Sequence, residues 1–381
     1  MFLTHAGSRN NFNDNLRDAR EMARTLARML GCELDALPHL DTLEKVLRRL
    51  SPESLDGLLP QMIRRLIRMK ALDSWRVGGR FLLAVDGTGM YSFRKRHCAH
   101  CIEKRHSSGT VTYSHSVLVT FLVNAEGYAL PVGYEWVENP GKHYEKQDCE
   151  IKAFRRLEPK LKRAFPQTRF WLLLDALYAD QGVLRTCLAN AWNCAITFLP
   201  SDMPALWAEA QRLLALSPGQ RAEATLADQT TRTVRWVNDL DYEGMKLSVV
   251  YQTDRDADGT VVHEFAHLTV RWIDVHNVWK TASAARLRWC CENQGFNVLK
   301  NGGFALEHVY SRNRNAARAY FVLMLCAHLF QQLLTRGQLG SLFESVFHTF
   351  LHYGKKLMAA LMNEPLPSDL NPPGQIRLSS A

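Results

Sequence analysis

The spacing of apolar residues along this 381-residue chain changes several times. From about 14 to 72 it is helical. Met22, Leu26 and Met29 repeat at helical intervals. Asp41 stands ahead of Leu43, Val46, Leu47 and Leu50, and Glu44 follows three residues on, which predicts a capping-box start. Ser51-Pro52-Glu53 predicts a second start, with proline in the first turn. Leu55, Leu58, Leu59, Met62 and Leu66 then form one stripe. Arg64, Arg65, Arg68 and Lys70 fall mainly on other faces, open to solvent or to phosphate.

Beyond 80 the texture becomes that of buried strands. RFLLAVDGTG is an apolar run ending in Asp86 and a glycine turn, and RFWLLLDALYAD is another ending in Asp175. HSVLVTFLVNAEGYALPVGYEWV predicts a hairpin turning at residues 124–127. Residues 145–165 predict a helix presenting Ile151, Phe154, Leu157 and Leu161, with Pro159 a source of a kink. A short helix and the strand CAITFLP follow. From 200 to 280 alternating stretches predict a β-rich segment. Helical spacing returns at 281–300, about 313–335 and about 340–361, before a proline-rich tail.

Composition narrows the classes. Hydrophobic residues make up 46%, enough for a sizeable core. Lys plus Arg number 47 against 38 Asp plus Glu, a net charge of +9 that favours a polyanionic partner. The nine cysteines lie mostly in apolar runs and read as free thiols of a reducing cytoplasm. The start of the chain lacks a basic-then-apolar leader, and the run YFVLMLCAHLF is too short to span a bilayer, so no membrane partner is expected.

The stretch HEFAH, residues 263–267, fits the zinc-protease pattern H-E-x-x-H, which works only on a helix. Its neighbours are β-branched or aromatic, and turn residues at 256–259 precede it, so a strand is expected. Two histidines four residues apart on a strand are roughly 13 Å apart, too far to share an ion.

Carboxylates form a stronger constellation. If the strands ending at Asp86 and Asp175 are parallel neighbours, both acids leave the same sheet edge, where paired acids suit divalent cations and phosphodiester chemistry. Each alone is equally an ordinary strand terminus. A third acid, Glu292, sits in RLRWCCENQGFNVLKNGG, with Arg288 one helical turn before it, able to pair with it or to meet phosphate.

With AVDGTG, LLLDALYAD and RLRWCCENQGFNVLKNGGFALEH, the chain resembles DDE-class insertion-sequence transposases over residues 80–335. The resemblance implies an α/β fold: an RNase H-like mixed-sheet core carrying a β-rich insertion, with helices before and after it. It implies Asp86, Asp175 and Glu292 as the catalytic acids, holding two Mg²⁺ ions, with Mn²⁺ as a substitute. It implies DNA end cleavage followed by strand transfer, with terminal inverted repeats and target DNA as partners and a homodimer in the synaptic complex. Many relatives carry a Tyr-Arg-Glu-Lys signature. Arg288 and Glu292 match it, Ala285 stands at the tyrosine position, and Lys300 comes one residue late. Some relatives stack a tryptophan of the insertion on a flipped base, which offers Trp272 and Trp279, against the plainer reading of core tryptophans.

The divisions expected are 1–76 helical and DNA-binding, 77–199 first core part, 200–280 insertion, 281–335 second core part, and 336–381 a terminal helix and tail. Cys98-x-x-Cys101, flanked by His97, His100 and His106, is half of a structural zinc site or simply two loop thiols. Arg94, Lys95 and Arg96 lie just beyond Asp86 and suit target DNA or solvent, as do Arg312, Arg314 and Arg318. A nuclease without strand transfer and an inactive DNA-binding protein are the competing functions.

Overall fold

The computed structural model describes residues 1–16, 19–336 and 350–364. Four short helices open the chain: α1 (Arg9–Leu16), α2 (Arg20–Leu30), α3 (Leu40–Leu47) and α4 (Leu58–Arg68). The predicted stripe faces inward, with Leu59 and Leu66 buried and Leu55, Leu58 and Met62 partly so; Ile63, outside that stripe, is buried too, and Arg64, Arg65, Arg68 and Lys70 are exposed. The expected capping box at Asp41 does not form. The His39 imidazole caps α3 by accepting the Asp41 N–H, and Glu44 is buried instead, held by Arg9, Arg48 and Ser311.

The strands are β1 (Arg76–Val77), β2 (Arg80–Phe93), β3 (Ile102–Arg105), β4 (Val111–Val123) and β5 (Ala129–Val137). Helix α5 (Glu150–Ala164) leads to β6 (Phe170–Leu174), and α6 (Gln181–Ala189) leads to β7 (Asn193–Thr197). β2 pairs antiparallel with β4, and β4 with β5. β2 runs parallel to β6, and β6 to β7. Phe81–Val85 and Phe170–Leu174 are buried without alternation, because elements cover both faces of the sheet. The hairpin turn at 124–127 forms as expected, with Gly127 in the left-handed region.

After α7 (Pro204–Leu216) come β8 (Arg221–Thr225), β9 (Thr231–Tyr242), β10 (Met245–Arg255) and β11 (Val261–Thr269). These four strands extend the same sheet, because β11 pairs antiparallel with β7. The result is one mixed, mostly antiparallel sheet of 11 strands with helices at both ends of the chain. HEFAH lies in β11, where His263 pairs with Asp254 and His267 with Val250. The zinc-protease geometry is therefore absent.

The predicted helix at 281–300 is broken. α8 (Val278–Arg286) ends in a turn, a π-helical turn spans Cys291–Phe296, and α9 (Asn297–Asn301) follows. α10 (Arg314–Arg336) is long and apolar enough to cross a membrane, more so than its apolar run alone suggests. It is a core helix, with Ala316, Ala319, Tyr320, Phe321, Met324 and Leu325 among its buried residues. A last helix, Phe350–Asn363, packs on α2, while the rest of the predicted 340–361 helix and the tail lie outside the described residues.

Candidate active site

The parallel register between β2 and β6 ends at Ala84 opposite Leu173. Two residues further along each strand stand Asp86 and Asp175. Side chains alternate along strands, so both acids leave the same end and face of neighbouring strands. The sequence reading placed a turn after Asp86, but β2 continues through Gly87-Thr88-Gly89 to Phe93, paired with β4 and slipping register between Gly89 and Tyr91. Gly87 serves close approach instead. A Cβ there would stand 2.3 Å from the carboxyl carbon of Glu150.

Glu150 is therefore a fourth acid of this cluster. It is the first residue of α5, and the helix is pinned by Arg156 to Asp148 and Glu135 and by Lys160 to Glu135 and Asp56. The Tyr178 hydroxyl donates to Glu150 Oε2 at 3.5 Å. Sequence reasoning missed Glu150, since an acid in a helix first turn is ordinary dipole complementation. The only local trace was the glycine after Asp86.

Glu292 is the second residue of the π-helical turn. Cys291 and Phe296 are buried, and Gly295 lies close under the Phe121 ring, so the turn is fixed to the sheet while Glu292 stays exposed. Arg288, in the turn before it, does not pair with Glu292. Its guanidinium reaches back to Asp86, with Nη1 3.5 Å from Oδ2, and lies over the Trp289 ring.

The charges act on one another. Burial, with repulsion from Asp175 and Glu292, outweighs Arg288 and the Gly87 N–H and pushes the Asp86 carboxyl up to about 6. Burial and the charges of Asp86 and Asp175 push Glu150 up to about 7. Asp175 is raised by burial, against the pull of Arg288 and of the Leu177 N–H on its Oδ1. Four carboxyls share this sheet end with one guanidinium, an arrangement that a cation would relieve.

The other expected residues lie elsewhere. Arg94, Lys95 and Arg96 begin eight residues past Asp86 on the line of β2, roughly 25 Å along a strand. They line a cavity with His97, Trp136, Arg312, Arg314 and Arg318. Arg314 and Arg318 both engage Glu138. Lys300 pairs with Glu307 at 3.5 Å. Trp272 is 59% exposed just after β11, so the core reading fails for it, whereas Trp279 packs against a small cluster around Trp236 and Ile273. Cys98 and Cys101 lie in the loop between β2 and β3, near His115 of β4.

Compared with models of known protein families and with curated proteins, the chain matches none.

Proposed function

We propose that this chain is a DDE-class transposase with an RNase H-like core, and that it cleaves DNA ends and transfers them to a target. The observation that carries the reading is the convergence of Asp86, Asp175 and Glu292 from two adjacent parallel strands and a distant helical turn. The strand order β5-β4-β2-β6-β7, with β2, β6 and β7 parallel, supports it. So does the position of β8–β11 between the last core strand and the glutamate turn. The net charge of +9 suits DNA as partner, including inverted terminal repeats and target. Pairing of two ends would call for a homodimer.

The donor set fits a hard divalent cation. All the donors are carboxylate oxygens; Glu292 is exposed, and burial together with mutual repulsion pushes Asp86 and Glu150 upward. Asp86, Asp175 and Glu292 would hold two Mg²⁺ ions, or Mn²⁺ in their place. When bound, the ions would polarise the scissile phosphate and favour deprotonation of an attacking oxygen. Arg288 would steer a phosphate oxygen toward Asp86. Glu150, beside Asp86 and Asp175, would accept the proton shed by the attacking water. Water forms a bond to phosphorus as the bond to the 3′ oxygen breaks, freeing a 3′-hydroxyl. That hydroxyl then attacks a target phosphodiester, exchanging one P–O bond for another without an energy source.

The test uses purified protein, Mg²⁺ and a plasmid carrying the DNA that natively flanks the gene. Wild type and His263→Ala should cut at discrete ends and join them to target, and Glu292→Ala should not. Cutting without joining would reduce the chain to a nuclease. Activity that dies with His263, or no specific cutting with Mg²⁺ or Mn²⁺, would overturn the assignment.

A further inference from the structure

The loop between β2 and β3 carries a second cluster, chemically unlike the first. Cys98 and Cys101 come from the C-x-x-C stretch, His97 directly precedes it, and His115 arrives from β4, where it sits opposite Tyr91. The four ligand atoms lie within 4.8 Å of one another. Cys98 Sγ is 3.5 Å from Cys101 Sγ and 3.3 Å from His115 Nε2. Cys101 Sγ is 3.6 Å from His115 Nε2, which is 3.0 Å from His97 Nε2. A tetrahedral zinc with ordinary bond lengths sets such edges at ~3.8 Å between sulfurs, ~3.6 Å between sulfur and nitrogen, and ~3.3 Å between nitrogens. The four edges among Cys98, Cys101 and His115 and from His115 to His97 stand within about 0.3 Å of that tetrahedron, and the whole set spans no more than 4.8 Å, so the exposed His97 ring has the furthest to move.

We infer that His97, Cys98, Cys101 and His115 form a structural zinc site. The ligand count closes the coordination sphere and leaves no position for substrate. Soft sulfur and imidazole donors select zinc over the magnesium suited to the carboxylates. The surroundings have the features of a supporting shell. The His100 N–H points at Cys98 Sγ, 3.4 Å away, as donors to zinc-bound thiolates do. Asn139 clamps the loop: its side chain donates to the Cys101 carbonyl at 2.8 Å, its N–H donates to the His100 carbonyl, and its own carbonyl meets His100 Nδ1 at 2.8 Å. His100 lies outside the group of four whose ligand atoms converge, and His106 is engaged with Thr112. Cys101 and His115 are buried, where two unbonded thiols beside two imidazoles would gain little, and Phe93 and Tyr91 pack around the histidines.

The site would tie the basic loop Arg94–Lys95–Arg96 to β4 at the far end of the sheet from the acids. Zinc would thus fix a positively charged surface without taking part in chemistry. This inference stands independently of DNA cleavage.

The experiment is metal analysis of untagged protein produced with zinc supplied and then desalted. Wild type should carry about one zinc per chain. Cys101→Ser and His115→Ala should fall below about a tenth of that, and Asp175→Asn should keep it. Should those variants fail to fold, wild type alone decides. Cys98 and Cys101 should resist alkylation until a strong chelator is added, and cobalt in place of zinc should show the intense visible bands of a tetrahedral site with thiolate charge transfer. Zinc absent from wild type, zinc lost with Asp175 rather than Cys101, or both thiols alkylated as readily before chelation as after, would overturn the proposal.

Discussion

Two clusters of polar side chains sit along the strand pair β2 and β4, and they are built on opposite principles. Asp86 faces Val119 near the middle of the pairing, and His115 faces Tyr91 roughly 15–20 Å further along. The first cluster gathers hard oxygens that repel one another at an open sheet end. The second gathers soft sulfur and nitrogen in a loop clamped by Asn139 and leaves nothing open. The difference teaches that one strand pair can carry both an open set of mutually repelling carboxylates and a compact set of sulfur and imidazole donors.

The sharpest way to break that comparison is to remove one ligand from each side. Glu292→Ala should lower single-turnover DNA cleavage on the order of a thousandfold, about 4 kcal/mol of transition-state stabilisation, while the melting temperature stays level or rises because repulsion is relieved. Cys101→Ser should do the reverse. Melting should drop by several degrees, at roughly 2–4 °C per kcal/mol for a large domain, and cleavage at low temperature should stay within a few-fold of wild type. If both variants affect activity and leave melting alone, the two clusters do not divide as described.

A smaller effect sharpens the oxygen side. Glu150 and Asp86 protonate at about 7 and about 6 in the fold, above the ordinary carboxylate range near 4 in the unfolded chain. Between those limits the folded state binds more protons, so this cluster makes the metal-free protein less stable as pH rises from about 4 to about 7. The buried His115, His267 and His328 are shifted downward and act in the opposite sense. The readout is therefore wild type against Glu150→Gln in chelator. The variant should gain relative stability as pH rises from 5 to 8, and Mg²⁺ should raise wild-type melting more at pH 8 than at pH 5. Gly87→Ala, which puts a methyl where the Glu150 carboxyl lies, should move the pH curve the same way. An unchanged curve in both variants would remove Glu150 from the cluster.

The gentlest change concerns the basic loop. Replacing Arg94, Lys95 and Arg96 together by alanine should weaken DNA binding for every sequence alike and reduce the slope of log affinity against log salt by about 2 to 3. A change confined to one sequence would mean that the loop reads bases.

Much of this architecture was legible from local signals. FLLAV and FWLLL read as buried strands because their runs do not alternate, HEFAH as a strand because its neighbours are β-branched, and residues 124–127 as a hairpin turn. Other signals misled for identifiable reasons. Glycine after Asp86 resembled turn chemistry, but it is small because Glu150 needs the space. Periodicity cannot show the turn and the π-helical insertion that divide residues 278–301, since each shifts phase by about a residue. Glu44 looked like a capping partner and proved to be the buried anchor of Arg9 and Arg48.

By itself the sequence determined the buried core strands, the hairpin and most flanking helices, since spacing and turn residues act over a few positions, but not the helix Pro204–Leu216 that opens the expected β-rich segment. It also named three of the four acids and half of the sulfur site. Only the tertiary structure decided that Arg288 serves Asp86, 202 residues away, that Glu150 joins the acids, and that His115 completes the cysteines. Those meetings depend on strand order and register, which bring distant residues within a few ångströms, where charge and coordination act and where sequence separation carries no information.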